Sequence, residues 1–485
     1  MNYRMTAYML GQILLIVAGF LLVPLILTFA FGETGTRTPL AFGVTIASMV
    51  AVGTPFIVKK PKNTDIRAKG GFLTVALAWI LLSLFGAMPF AISGYFGNYV
   101  DSLFEIVSGF TTTGATILTD IESVPLSLLF WRSFSHWLGG MGVLVFVIAV
   151  LPKTSTAIVH LAKAEIPGPQ FGKLVSKLRF TARILYGIYI LLTLIEVVAL
   201  LLCRMPVFDS FITAFSTAGT GGFSSKNASI GGYNSLAVEI VTMIFMLLFS
   251  VNMNVFYLIL IRRFKQAFKN EELWWLIVIV FVAIILVSLS LTLEHVYDSF
   301  GETLRYSSYQ VIAFISTTGF GTANFDDWPI LAQSVLFVCM FIGGMAGSTA
   351  GGLKISRVMI LVKTSGRSIK KSISPRTVVS VKIDKKPVDE NMVKNVVGYF
   401  ALFMIIYFVS VILVSIVQKG MDFSTAVTAV ATCLNNVGPG LSKIAGGFGE
   451  VNWFSKIVLI FDMLIGRLEI YPILLLFYPK AWTRY

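Results

Sequence analysis

The chain has 485 residues, 56% hydrophobic and only 13% charged, with a mean hydropathy of +0.83. Repeated apolar runs of about 18 residues or more exclude a soluble domain and indicate a polytopic membrane protein. The net charge of +14 does not mark a nucleic-acid binder, because Lys and Arg gather on alternate connections between the apolar runs, the bias that marks a cytoplasmic face.

Two spans come first, about 7–31 and 39–58. The first is too long for a signal-peptide core and no small-residue cleavage site follows it, so it reads as a retained span. After a basic loop at 59–69 a pattern begins that occurs four times. It runs from a long span through a short amphiphilic segment into a Thr/Gly or Asn/Gly stretch, then into a second long span.

The first copy has spans near 71–94 and 128–151 around Thr111-Thr112-Thr113-Gly114. The second has spans near 184–203 and 236–261 around Gly219-Thr220-Gly221-Gly222. Its Glu196, inside a span, reads as a structural partner. The third has spans near 273–293 and 331–361 around Ser316-Thr317-Thr318-Gly319, and the fourth 394–417 and 454–478 around Asn435-Asn436-Val437-Gly438. The sum is ten spans, with a two-span N-terminal unit at 1–70 and repeats at 71–183, 184–272, 273–393 and 394–485.

The amphiphilic segments also repeat at residue level. Asp101-Ser102-Leu103-Phe104 recurs as Asp209-Ser210-Phe211, Asp298-Ser299-Phe300 and Asp422-Phe423-Ser424. An Asp or Ser before an apolar run is a helix N-cap signal. About ten residues of helix reach only half-way through the hydrocarbon core, leaving a partly negative C-terminal end at mid-membrane that favours a cation. In the second copy, the spacing from Asp209 and the Gly222-Phe223 match to Gly319-Phe320 select Gly222 over Gly219 and Gly221. The third copy is longer, with Glu302 and Arg305 ahead of a second apolar run.

A dehydrated potassium ion needs oxygens in place of its hydration shell, and inward-pointing backbone carbonyls supply them. Turning consecutive carbonyls one way requires alternating backbone conformations, and glycine takes the positive-φ member without steric cost. A single such stretch is explained by close helix packing through small residues; four in equivalent places predict a carbonyl-lined filter. Its residues are Thr111, Thr112, Thr113 and Gly114, then Thr220, Gly221 and Gly222, then Thr317, Thr318 and Gly319, then Asn435, Asn436, Val437 and Gly438. The ion at this filter, K+, is the only metal expected.

Two further features interrupt the second spans. Gly343, Gly344, Gly347, Gly351 and Gly352 fall mid-span in the third copy, where glycine costs about 1 kcal/mol per helical position. They predict a broken helix with a loop that lines a water-filled path or is buried in protein. Arg467 lies inside the last span beside Asp462 and Glu469, either as a barrier to a passing cation or as a member of an ion pair. The loop 354–394 is rich in Lys and Arg and holds Ser372-Ile373-Ser374-Pro375, and it reads as a solvated or lipid-facing segment.

Three scattered cysteines (Cys203, Cys339, Cys433) give no disulfide framework or metal spacing, and Cys433 reads as a small buried hydrophobe. The histidines His136, His160 and His295 form no cluster with acidic residues. No catalytic residue is expected, and no cofactor.

The chain resembles the Trk/Ktr/HKT superfamily of potassium transporters, most nearly its bacterial Trk membrane subunits. Thr111-Thr112-Thr113-Gly114-Ala115-Thr116, Trp137-Leu138-Gly139-Gly140-Met141-Gly142 and the run from Gly343 through Ala346-Gly347-Ser348-Thr349-Ala350 to Lys354 carry the likeness. It implies an all-α membrane protein with four span–pore helix–filter–span repeats in pseudo-fourfold symmetry around a pore, plus two N-terminal helices. It also implies potassium uptake in a bacterial inner membrane with both termini cytoplasmic, and passage of Rb+ as well. The glycine-rich loop and Arg467 would form the gate. A homodimer and a cytoplasmic TrkA-type nucleotide-binding regulatory ring are implied by the resemblance alone, and membrane lipid is the expected surround. A carrier coupling K+ to Na+ or H+ and a scaffold with a dead pore are the alternatives.

Overall fold

The structure, a computed structural model, describes residues 2–58, 61, 68–142, 178–377, 379–418 and 420–483. Residues 143–151 of the expected 128–151 span, most of the basic loop at 59–69, and His160 lie outside them. The described chain is mostly helical, with one two-stranded hairpin at Lys382–Ile383 and Lys386–Pro387.

Six helical segments among the described residues are long and apolar enough to cross a bilayer: Tyr3–Ala30, Thr38–Val58, Lys69–Ser93, Ala182–Leu202, Glu271–Leu293 and Glu390–Val417. A seventh is counted if Leu236–Ser250 and Met253–Leu260, bent by 94° at their junction, form one span. Phe281, Ile285, Phe408 and Ile412 leave bare apolar faces on two of these helices, a surface suited to lipid. Among the described residues ten continuous spans are not found, and the second members of the second, third and fourth pairs are interrupted. The first, Leu126–Gly140, ends at Met141. The third passes from Ile330–Phe341 through a loop to Ile355–Ile373, and the fourth from Trp453–Arg467 to Tyr471–Leu476.

The breaks at 250–253 and 468–470 differ from the continuous spans expected there. Each has a physical cause. At the first, the carbonyls of Phe249 and Ser250 accept from Thr349 and Met345 of the glycine-rich loop, at 3.4 and 2.9 Å. Asn252 then caps the next helix, its Oδ1 accepting from Asn254 N–H at 2.8 Å. At the second, Glu469 and Ile470 both have positive φ, 59° and 66°, and Pro472 opens the following helix.

Four short helices lie between the spans: Tyr99–Phe110, Val207–Gly219, Phe300–Ile315 and Phe423–Asn435. Their caps correct the expected aspartates. Asn98 caps the first, and Asp101 sits at its N3 position, closing a capping box. Asp209 likewise lies within the first turn of its helix, and Ser299 rather than Asp298 caps the third. Asp422 does hold the cap position, but its carboxylate accepts from the Thr425 hydroxyl instead of a helix N–H. The third short helix is continuous and longer, carrying Glu302 and Arg305 in the same helix as Phe314. Arg305 makes a forked pair with Glu239, both contacts at 2.6 Å, which ties this helix to the second repeat.

Candidate functional site

All four short helices end in the same way. The N–H of Thr113 donates to Ser108 O at 2.9 Å, Gly221 to Ser216 at 2.8 Å, Thr318 to Ala313 at 2.9 Å and Val437 to Thr432 at 3.0 Å. A shorter bond runs from Thr112 to Gly109, Thr220 to Thr217, Thr317 to Phe314 and Asn436 to Cys433. Together these are Schellman ends, which need a left-handed residue that is usually glycine. Here that residue is threonine three times and asparagine once, with φ of 55° at Thr112, 56° at Thr220, 56° at Thr317 and 54° at Asn436. A β-branched residue in that region costs about 1–3 kcal/mol and clusters at functional positions.

Two residues further on, φ is positive again: 83° at Gly114, 79° at Gly222, 71° at Gly319 and 107° at Gly438. The residues between have negative φ. This alternation turns successive carbonyls to one side of each stretch. In the second stretch the positive-φ glycine is Gly222, while Gly219 and Gly221 close against His136.

The stretches meet around a ring. A Cβ on Gly114 would overlap the carbonyl oxygen of Gly221, and one on Gly222 that of Thr318. One on Gly319 would overlap the carbonyl of Val437, and one on Gly438 would press on that of Thr113. Each glycine therefore rests on the middle carbonyl of the next stretch, in the order one, two, three, four and back to one. Side chains hold the stretches from behind. Thr111 and Thr113 hydroxyls pair at 2.8 Å and Ser316 and Thr318 at 2.9 Å. Asn435 Nδ2 donates to Ala431 O at 2.8 Å, and Asn436 Nδ2 to Thr113 Oγ1 at 2.9 Å, closing the fourth stretch on the first.

A cavity of about 490 Å³ opens on one side of the ring, lined by Gly114, Gly222, Gly319 and Gly438 with Thr116 and Ser224. Beside it, Asp120 accepts from Asn227 Nδ2 at 3.1 Å. The Asn227 amide, with the Ser123 hydroxyl and nearby backbone N–H groups, holds the Asp120 carboxyl below its ordinary value. Lys226, which also lines the cavity, pairs with Glu122 at 3.5 Å, so both signs of charge stand at its rim.

The support behind the first two stretches was not legible in the sequence. Glu105 and Arg132 are both buried and pair at 2.5 Å. Glu105 also accepts from Thr116 Oγ1 at 2.9 Å and Ile117 N–H at 2.8 Å. Arg132 reaches Ser224 O at 3.1 Å and lies 3.5 Å over the Phe223 ring, on which His136 also stacks. Their signal is a buried charge on each of two apolar helices, which demands a partner. Arg132→Ala should destabilise the protein by about 3–5 kcal/mol, because Glu105 is left charged and unpaired. Thermal unfolding in detergent should show a clear drop, partly restored in Arg132→Met/Glu105→Gln. An unchanged midpoint for the single variant would refute the pairing.

On the other side of the ring lies the glycine-rich loop, and it touches elements of the second, third and fourth copies. Its base is pinned by Gly343 N–H to Leu353 O at 3.0 Å and Leu353 N–H to Phe341 O at 3.1 Å. Gly344 packs on Ser250 O, and Gly347, with φ of 76°, packs against Asn252 of the second copy. Gly351 N–H donates to Thr317 Oγ1 at 2.7 Å, and a Cβ there would press on Asn435 O of the fourth stretch. Gly352, also at positive φ, stacks on Gly343.

Arg467, buried at the end of its helix, donates to Thr349 O at 2.7 Å, to Gly140 O at 2.6 Å and to Gly139 O. It thus ties the loop to the first copy. Of its two expected acidic neighbours, Glu469 pairs with Arg357 at 2.6 Å and Asp462 accepts from Ser410 at 2.7 Å. Glu196 is fully buried, facing the second short helix. Cys433 is buried too and forms no disulfide.

A family model described as TrkH, cation transport protein, matches residues 40–484. The Trk system potassium uptake protein TrkH of Salmonella typhimurium is 33% identical over 486 residues, covering 99% of this chain and 100% of the relative. The Trk system potassium uptake protein TrkG of Escherichia coli is 32% identical, with 99% of each chain covered. The crystal structure of the potassium transporter TrkH from Vibrio parahaemolyticus aligns with a TM-score of 0.90 at 31% identity over 100% of both chains.

Proposed function

This chain belongs to the TrkH family of cation transport proteins, and on that premise we propose that it takes up potassium across a bacterial inner membrane. Dehydrated K+ passes through the ring of backbone carbonyls from the four Thr/Gly and Asn/Gly stretches, with the glycine-rich loop and Arg467 as the gate beneath it. The observation that carries this reading is the cyclic contact of Gly114, Gly222, Gly319 and Gly438, each on the next stretch's carbonyl. Four contacts of one kind, returning to their start, run around a common centre, and carbonyls arrayed about such a centre can replace water around an ion.

The architecture belonging to this reading is ten spans, two N-terminal and eight in four pore repeats bounded at 71–183, 184–272, 273–393 and 394–485. The four Schellman ends support the repeat, since one local design recurs at each. Both termini are cytoplasmic, on the side where Lys and Arg gather. Family membership supports a homodimer and regulation by a TrkA-type nucleotide-binding ring on that side; this chain itself holds no cofactor.

The reading is tested by rubidium-86 uptake into liposomes that hold the purified protein and potassium inside. Uptake that collapses with valinomycin establishes a passive path. Uptake that requires an imposed sodium or proton gradient makes the protein a coupled carrier instead, and absence of flux in every condition with the gate removed refutes a pore. Selectivity gives a second expected result. With one glycine per stretch, and a Gly-Phe-Gly triplet only at Gly319-Phe320-Gly321, fewer carbonyl layers stack than in a full potassium-channel signature. Discrimination of K+ over Na+, read from reversal potentials, should therefore be weaker than in such a channel; equal discrimination would overturn this count of layers.

A further inference from the structure

The glycine-rich loop has an anchor on the far side from the ring. One oxygen of the buried Glu272 carboxylate, Oε1, accepts from Ala346 N–H at 2.8 Å and from Ser356 N–H at 3.0 Å. Ala346 lies early in the loop, and Ser356 opens the helix Ile355–Ile373 that follows it. A single atom thus staples both sides of the loop. Backbone N–H groups buried without an acceptor are costly, so the staple holds the loop in one shape.

Glu272 has a neighbour of opposite orientation. Glu271 faces the hairpin formed by Lys382–Ile383 and Lys386–Pro387. Its N–H donates to Asp384 Oδ1 at 2.8 Å, and its Oε2 accepts from Asp384 N–H at 3.0 Å. Its other oxygen pairs with Lys363, which also donates to Lys382 O at 2.7 Å. Asp384 and Lys385 form the tight turn, both at positive φ, and Val381, Ile383 and Val388 bury the hairpin's apolar side. The hairpin is therefore docked, not free, and its dock is one residue from the staple.

We propose that Glu272 is the positioning residue of the loop, and that the 382–387 hairpin acts on the loop through the Glu271–Glu272 pair. A partner that pulls or presses on the hairpin shifts the first turn of the helix Glu271–Leu293 and with it the staple. This rests on the reading of the loop as a gate.

The test is rubidium-86 flux in liposomes for wild type, Glu272→Ala, Glu272→Gln, Asp384→Ala, the Glu272→Ala/Asp384→Ala double variant and a variant with a shortened loop. Losing the staple should raise flux about tenfold in Glu272→Ala. Glu272→Gln keeps an acceptor oxygen and should raise it less. Asp384→Ala, at an exposed turn, should raise flux with an unchanged unfolding midpoint. The double variant should conduct no faster than Glu272→Ala alone, because both act on one linkage. Asp384→Ala at the wild-type rate, or additive effects in the double, overturns the proposal. If Glu272→Ala does not fold, Asp384→Ala alone decides. A shortened loop that conducts no faster than wild type removes the gate reading itself, whereas a faster one with Asp384→Ala unchanged removes only the linkage.

Discussion

Gly222→Ala should abolish cation flux while leaving the protein folded. Two costs coincide at this position. The φ of 79° disfavours any residue with a Cβ, by about 1–2 kcal/mol. The added methyl also points into the carbonyl oxygen of Thr318 in the neighbouring stretch. The clash cannot be relieved by swinging a flexible side chain, because the atom it meets is backbone. Relief moves the Thr318 carbonyl, one of the oxygens proposed to face the ion, or moves the Thr220–Gly222 stretch away from the axis. In either case the ring is distorted, and the ion loses ligands it needs at the moment of dehydration. Rubidium-86 uptake, normalised to protein recovered as a monodisperse peak in detergent, should fall at least about a hundredfold, the effect of roughly 3 kcal/mol. Gly114→Ala and Gly319→Ala should fall likewise. Gly366→Ala is the matched control: it lies in the helix Ile355–Ile373 with nothing within 4 Å of an added Cβ. It should transport as wild type and gain up to about 1 kcal/mol of helix stability. Wild-type uptake by Gly222→Ala would show that ions do not pass these carbonyls.

The four stretches were legible because their information is local. Alternating backbone needs glycine at fixed offsets from a helix end, and that need is written in Thr111–Gly114 and its three counterparts. The glycine-rich loop was legible for the same reason: five glycines within 343–352 are incompatible with a stable helix. What escaped is information held by partners far away in sequence. The run Leu236–Leu260 reads as continuous because apolar residues dominate on both sides of its polar Ser250, Asn252 and Asn254. It breaks where the carbonyls of Phe249 and Ser250 are taken by N–H groups of a loop about 100 residues on. Asn252 was the one local cue there, and Pro472 the corresponding cue in the fourth copy. Ser299 and Asp422 hold the cap positions expected of an Asp or Ser, while the other two caps were missed for a subtler reason. Asp101 and Asp209 do mark helix starts, but from inside the first turn, where a carboxylate still favours the N-terminal dipole. The Arg132–Glu105 pair and the Glu272 staple follow a rule that needs no structure: a charge in an apolar helix must have a partner. Which partner it has, only the fold can say.

Arg467→Ala should raise cation flux by one to two orders of magnitude. The guanidinium is buried, and it spends its donors on carbonyls from two chain segments, Thr349 of the loop and Gly139 and Gly140 of the first copy. In the proposed gate, its charge is thereby held on the path of the ion. A cation passing about 5 Å away meets roughly 3 kcal/mol of repulsion at an effective dielectric of 20, a factor of about 150 in rate. Alanine removes that barrier and the brace together, and it frees three carbonyls that can then face water or the ion. Arg467→Lys separates the two contributions. It keeps the charge but replaces the forked planar group with a single ammonium that cannot span the three carbonyls in the same way. Flux between wild type and Arg467→Ala would mean that brace and charge both restrain the loop. Flux equal to wild type would assign the restraint to charge. Flux in Arg467→Ala at or below the wild-type rate, in protein with an intact elution profile, would leave the residue as a structural cross-link and the loop without its barrier.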